Sequence, residues 1–171
     1  MAYTTINKST DHFNTVTYTG DGTNGQSITG VGFQPDLCWI KSRTAAQEHM
    51  WYDAVRGNDK LLRSNNTAAE ATTSTSVYFN SFDSDGFTVG SETALGANGA
   101  NFVGWNWKAG GSGSTNNDGS TASVVSANTT AGFSIVTHSG TGSATTIGHG
   151  LGASPKVIIS KARNVLNSWF V

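Results

Sequence analysis

The chain has one cysteine, Cys38. A single thiol makes no internal disulfide and no thiolate metal cluster. Its neighbours Leu37, Trp39 and Ile40 predict a buried, inert thiol. Charge is equally scarce. Asp, Glu, Lys and Arg make up 12% of the residues, about half the usual ~25% share. The net charge is −1 and the ten basic residues are scattered. A surface that tracks nucleic-acid phosphates needs clustered Lys and Arg, so no nucleic-acid partner is expected. No apolar run is long enough to cross a bilayer as a helix. The first residues, "MAYTTINKSTDHF", lack both a basic segment and an apolar stretch, so no signal peptide is predicted. There are only two prolines, Pro35 and Pro155.

Gly, Ser, Thr and Asn fill nearly half the positions. Thr suits a pleated strand, while Gly, Asn and Ser suit bends. Helix-period segments are absent. "HFNTVTYTG" alternates its side chains and stops at Gly20, as a strand does. "LCWIKSR", "EHMWYDAV", "KLLRSN", "VYFNSF", "FTVG" and "NFVGWNWKAG" add further short strands separated by turn signals. "NTAAEATTSTS" reads as loop. "DSDG" reads as a four-residue hairpin connection with Gly86 at a positive φ. Seven or eight strands at this spacing predict an all-β fold, an antiparallel β-sandwich or jelly roll.

The two prolines lie 120 residues apart, and the chain repeats itself at that shift. Phe13, Val16 and Thr17 meet Phe133, Val136 and Thr137. Gly20, Gly22, Gly30 and Gly32 meet Gly140, Gly142, Gly150 and Gly152. Lys41 and Arg43 meet Lys161 and Arg163. The repeat predicts a first β-sandwich unit at 1–110, a flexible Gly/Ser-rich linker at 111–121, and the start of a second copy at 122–171. Val171 corresponds to Trp51, inside a strand. The expectation is therefore that these residues are the visible part of a longer protein.

Candidate chemistry is sparse. Trp105 and Trp107 are two apart and share a strand face, either as a stacking platform for sugar rings or as core; burial in the core is the expectation for both, and for Trp39, Trp51 and Trp169. Asp83 and Asp85 sit on a tight loop where a Ca²⁺ site could be built, but such a site needs six to eight oxygens, and Asp and Gly are also what a hairpin demands. The turn reading is the expectation, with no cofactor. Asp53 and Arg56 suit a local ion pair that fixes a turn. "GHGLG" is not followed by a helix, so a phosphate-cradling loop is not expected. His12, His49, His138 and His149 show no metal-ligand spacing. No nucleophile elbow and no evident carboxylate pair for glycoside hydrolysis occur. No enzymatic activity is predicted.

Taken together, "TGVGFQPDLCWIKSR", "DAVRG", "SFDSDGFTVGS", "FVGWNWKAGG", "VSANTTAGFSIV" and "GHGLGASPKVIISKAR" resemble a domain found, often in tandem, in structural proteins of tailed bacteriophages, especially those of marine bacteria. The resemblance covers essentially the whole chain. It implies a virion protein assembled in the host bacterial cytoplasm, oligomeric, with a lectin-like sandwich fold and with other tail or capsid proteins as partners. A tail fibre or tail spike component, forming a homotrimer, is the expected role. The alternatives are a carbohydrate-binding module that recognises a host surface glycan through Trp105, Trp107 or the Asp83–Asp85 loop, and a capsid decoration protein.

Overall fold

Side-chain alternation decides which way each strand faces, and the computed structural model, which describes residues 6–171, shows it most clearly in the central strands. After a single 3₁₀ turn at Ser9–Asp11 the strands are β1 (Phe13–Thr19), β2 (Gln26–Thr29), β3 (Leu37–Ser42), β4 (Met50–Asp53), β5 (Gly57–Arg63), β6 (Ala71–Thr72), β7 (Phe79–Asp83), β8 (Gly86–Val89), β9 (Asn101–Trp107), β10 (Ser114–Asn116), β11 (Ser123–Asn128) and β12 (Phe133–His138). They form three antiparallel sheets: six strands in the order β1-β9-β3-β4-β5-β6, three in the order β2-β8-β7, and three in the order β10-β11-β12. The fold is all-β, and the first two sheets pack face to face as a sandwich. No helix among the described residues is long and apolar enough to cross a membrane.

The core lies between the large sheet and the β2-β8-β7 sheet. Cys38, Ile40, Met50, Tyr52 and Leu61 face inward from one side, and Ile28, Phe79, Phe87 and Val89 from the other. Phe79 is the hub: its ring lies 4.8 Å from Tyr52, 4.7 Å from Phe82 and 5.8 Å from Phe87. Cys38 is fully buried, and desolvation, helped by the charges of Asp36 and Asp83, pushes its thiol well above the ordinary range. It is no nucleophile at neutral pH.

The structure departs from sequence expectation in four places. The β7–β8 hairpin is tighter than a four-residue connection: Asp83 pairs with Gly86, leaving Ser84 and Asp85 as the turn. Gly86 does have positive φ, at 149°, and a Cβ there would collide with the Ile28 carbonyl of the neighbouring strand β2. The "NTAAEATTSTS" stretch contains β6, a two-residue strand closing the sheet edge on β5. Within 111–121, Ser114–Asn116 are not linker but strand β10, in register with β11. The tryptophans do not enter the core. On β9 the inward positions belong to Phe102, Gly104 and Asn106. A Cβ at Gly104 would sit 3.1 Å from the tip of the Phe87 ring, tighter than an ordinary contact, so the ring and the glycine fit each other closely. Asn106 is buried with its amide donating to the Asn14 and Gly104 carbonyls. Trp105 and Trp107 are thereby turned outward.

Candidate functional site

The outer face of the large sheet carries an aromatic row set by strand register. Trp105 pairs with Thr15 on one side and Trp39 on the other, and Trp39 pairs with Trp51. The Trp39 ring centroid is 5.3 Å from that of Trp105 and 5.6 Å from that of Trp51, with planes tilted by 47° and 44°. Trp169 extends the row, 5.3 Å beyond Trp51 at 44°. Trp107 belongs to the next row, against Phe13 at 4.8 Å and Phe133 at 6.1 Å. All five indoles are half-buried. They are neither core residues nor a flat platform. Neighbouring planes are tilted by 44–53°, except Trp107 and Phe133, which stack at 24°, so the rings pack on one another, and Trp107 has neighbouring rings on two sides.

Phe133 and Trp169 both come from the segment after residue 121, so that segment covers part of the face. Its attachment is polar and specific. Arg163 donates from Nε to Glu70 Oε2 at 2.8 Å and from Nη2 to Oε1 at 2.7 Å, a bidentate pair. The Glu70 N–H donates to the Arg163 carbonyl at 2.7 Å. Lys161 Nζ and the Asn167 N–H both donate to the Thr67 carbonyl, and Trp169 Nε1 donates to the Arg63 carbonyl at 3.0 Å. Residues 161–169 are thus a strap clasped to the loop between β5 and β6.

Glu70 does not act alone. Arg56, whose side chain is 3% exposed, bridges Asp53 at 2.6 Å and Glu70 at 3.0 Å. Its remaining donors reach the carbonyls of Lys60 and Trp51. The Asp53–Arg56 turn pair foreseen from "DAVR" is present, with the Arg56 N–H also donating to Asp53 Oδ1 at 2.9 Å. Burial alone would raise the Glu70 carboxyl. The hydrogen bonds from Arg163 and Arg56, with their charges, outweigh it and hold the group below its ordinary value. Arg163 stands out in the sequence only as the counterpart of Arg43 in the repeat, and nothing there pairs it with Glu70, although Glu70 is the one charged residue between Arg63 and Asp83.

Asp83 and Asp85 lie apart from this face, at the β7–β8 turn, and each has internal donors. Asp83 accepts from the Ser81 and Thr88 hydroxyls, both at 2.7 Å. Asp85 accepts from the Gly32 N–H at 2.6 Å and the Gly30 N–H at 3.1 Å. It therefore pins the loop after β2, as an Asx group does at a turn. Among the described residues no cluster of three or more His, Cys, Asp or Glu side chains could hold a metal ion. Substituting Asp85 with alanine leaves both N–H groups to water at this exposed turn, and the expected result is a loss of about 0.5–1.5 kcal/mol of stability in urea titration.

The model of a family described as a domain of unknown function, DUF7483, matches residues 8–171. The chain belongs to this family. No curated protein and no solved structure matches it. The DUF7483 match crosses 111–121 and reaches the end of the strap, so the family unit includes the sandwich, the β10-β11-β12 sheet and the clasp together.

Proposed function

We propose that this DUF7483 protein is a non-enzymatic structural component of a bacteriophage virion, part of a tail fibre or tail spike, and that it works by assembling with further copies of itself and with neighbouring virion proteins. The virion assignment rests on the resemblance to phage structural domains. The observation that carries the assembly role is the apolar surface of the strap region. Val157 is 68% exposed, Ile158 65%, Leu166 78% and Phe170 58%. These side chains are not on a loose tail: Leu166 lies between the Glu70 clasp and the Trp169 contact, Ser160 and Phe170 exchange N–H to carbonyl bonds at 2.9 and 3.0 Å, and Lys161 holds the Thr67 carbonyl just after Ile159. Val157, Ile158 and Ile159 also make no backbone hydrogen bond within the described residues. A held, apolar, unpaired edge is a template for a strand from another chain.

The expected partner is a second copy, in a closed symmetric oligomer. Light scattering coupled to size exclusion is expected to give a trimer for the wild type. The double variant Val157→Lys, Ile159→Lys is expected to elute as a monomer with an unchanged circular dichroism spectrum. A wild-type chain that stays monomeric at high concentration would sink the assembly role. Immunogold labelling of intact particles tests the location: gold on the tail supports the fibre assignment, gold on the head moves the protein to capsid decoration, and unlabelled particles remove the virion assignment.

A further inference from the structure

A groove of about 470 Å³ opens at the end of the sandwich, where the chain enters β3 and leaves β9. It is separate from the indole face and the strap. Its floor is Asp36, which is 5% exposed. The Asp36 backbone ties two strand ends together, donating to the Trp107 carbonyl and accepting from the Ala54 N–H, both at 2.8 Å. Its carboxylate accepts from the Ala109 N–H at 2.7 Å, and the Gly111 N–H also reaches it. A buried carboxylate fixed in this way is a rigid acceptor at the bottom of an open groove.

Around it stand Gln34, Asn58, Ser81, Phe82 and Lys108. Asn58 uses its amide N–H on the Asn80 carbonyl, which leaves its own carbonyl oxygen open. The Ser81 hydroxyl donates to Asp83, so its lone pairs are available as an acceptor. Gln34 makes only a long 3.4 Å bond to the Phe82 carbonyl. Lys108 has no ion-pair partner among the described residues and lies 5.9 Å from the Phe33 ring centroid. The half-buried Phe82 ring, with Ala54 and Ala109, supplies an apolar wall.

This chemistry selects its ligand. One carboxylate and one ammonium balance, so the groove favours neither a strong anion nor a strong cation. Acceptors (Asp36, Asn58, Ser81) and donors (Lys108, Gln34) surround a single aromatic wall. A molecule matches that set if each of its polar groups both donates and accepts and if it has a C–H face. The volume falls within the ~300–1,000 Å³ of small-molecule sites. We propose that this groove binds one ring of a neutral saccharide, with its hydroxyls on Asp36, Asn58 and Lys108 and its C–H face on Phe82. The inference is independent of the assembly role: a monomer could bind the sugar, and a trimer could fail to.

The test is an NMR titration of the ¹⁵N-labelled 171-residue chain with D-glucose, D-galactose and N-acetyl-D-glucosamine, with acyclic mannitol as the control. At least one ring sugar is expected to give saturable millimolar shifts in the Gln34 and Asn58 side-chain amides and in the backbone amides of 108–112. Mannitol is expected to give none. Ser112→Trp places an indole at the exposed rim and is expected to abolish the shifts. Gln34→Ala and Lys108→Ala, both exposed, are each expected to weaken binding about three- to tenfold while keeping the amide dispersion of the wild type. The proposal is overturned by no saturable shift with any ring sugar, by equal shifts with mannitol, or by shifts confined to the indole N–H signals of Trp39, Trp51 and Trp105. Binding unaffected by both alanine variants and by Ser112→Trp also overturns it.

Discussion

Replacing Arg56 with methionine lowers the unfolding free energy by about 3–5 kcal/mol, measured by urea titration of the full chain. The side chain is 3% exposed and holds Asp53, at 4%, and Glu70, at 11%, on either side of its guanidinium. Methionine fills much of the volume but leaves two largely buried carboxylates close together with the charge between them gone. The same substitution removes the Arg56 donors from the carbonyls of Lys60 and Trp51. Arg163→Ala makes the contrast. Arg163 is 42% exposed and Glu70 keeps Arg56 when it is lost, so the cost is under ~1 kcal/mol, the range of exposed pairs. A ranking in which Arg163→Ala costs more than Arg56→Met would show that the strap, rather than the buried network, carries the stability of this edge. The network also has a pH signature. Because Glu70 is held below its ordinary value in the folded chain, its contribution is complete above that ordinary value and is lost as pH falls through the lowered one. Glu70→Gln is expected to flatten the fall in stability over that acid window and leave the neutral-to-alkaline behaviour of the curve unchanged in shape.

The sandwich was legible because most strands are half-buried and advertise it by alternation. β1, "FNTVTYT", and β3, "LCWIKS", read directly from the chain. The faces were less legible. On β9 the larger apolar residues are Trp105 and Trp107, and size alone places them inside. The inner face instead accepts Gly104 and Asn106, because the Phe87 ring fills the space a side chain at 104 would need. That constraint comes from a strand of the opposite sheet and leaves no local trace. The clasp was hidden for the same reason: Glu70 and Arg163 are 93 residues apart, and each alone looks like a solvated charge. The β7–β8 turn was visible from "DSDG", yet the internal use of Asp83 and Asp85 depends on Ser81, Thr88 and the Gly30–Gly32 backbone.

The 120-residue repeat is written into local geometry more than into packing. Gly22 and Gly142, Gly30 and Gly150, and Gly32 and Gly152 all have positive φ between 69° and 89°. β1 begins at Phe13 and β12 at Phe133. Ile40 pairs with Met50, and the residues 120 further on, Ser160 and Phe170, form an antiparallel bridge. The surroundings diverge. Pro35 is fully buried and Pro155 is not. β1 pairs with β9, whereas β12 pairs with β11. We propose that 122–171 follows the local plan of the first unit but takes its stability from that unit.

The dependence predicts that an isolated 111–171 fragment is unfolded, with a coil-like circular dichroism spectrum and no cooperative transition in urea. Val125 is its one buried hydrophobic residue, while Val157, Ile158, Ile159, Leu166 and Phe170 are exposed. Fixing each residue costs about 1–2 kcal/mol of backbone entropy, and fully burying one Val side chain returns only about 1.5–3 kcal/mol. Chains this short are marginal even with a good core. The core cluster, in contrast, draws every member from residues 28–95. A 1–110 fragment is therefore expected to give a β spectrum and a single cooperative transition on its own. Its midpoint should fall below that of the full chain, because Trp51 and Trp107 lose the cover of Trp169 and Phe133. A cooperative transition in the 111–171 fragment would mean that the second segment folds by itself, and the clasp would then join two independent bodies instead of holding a dependent one in place.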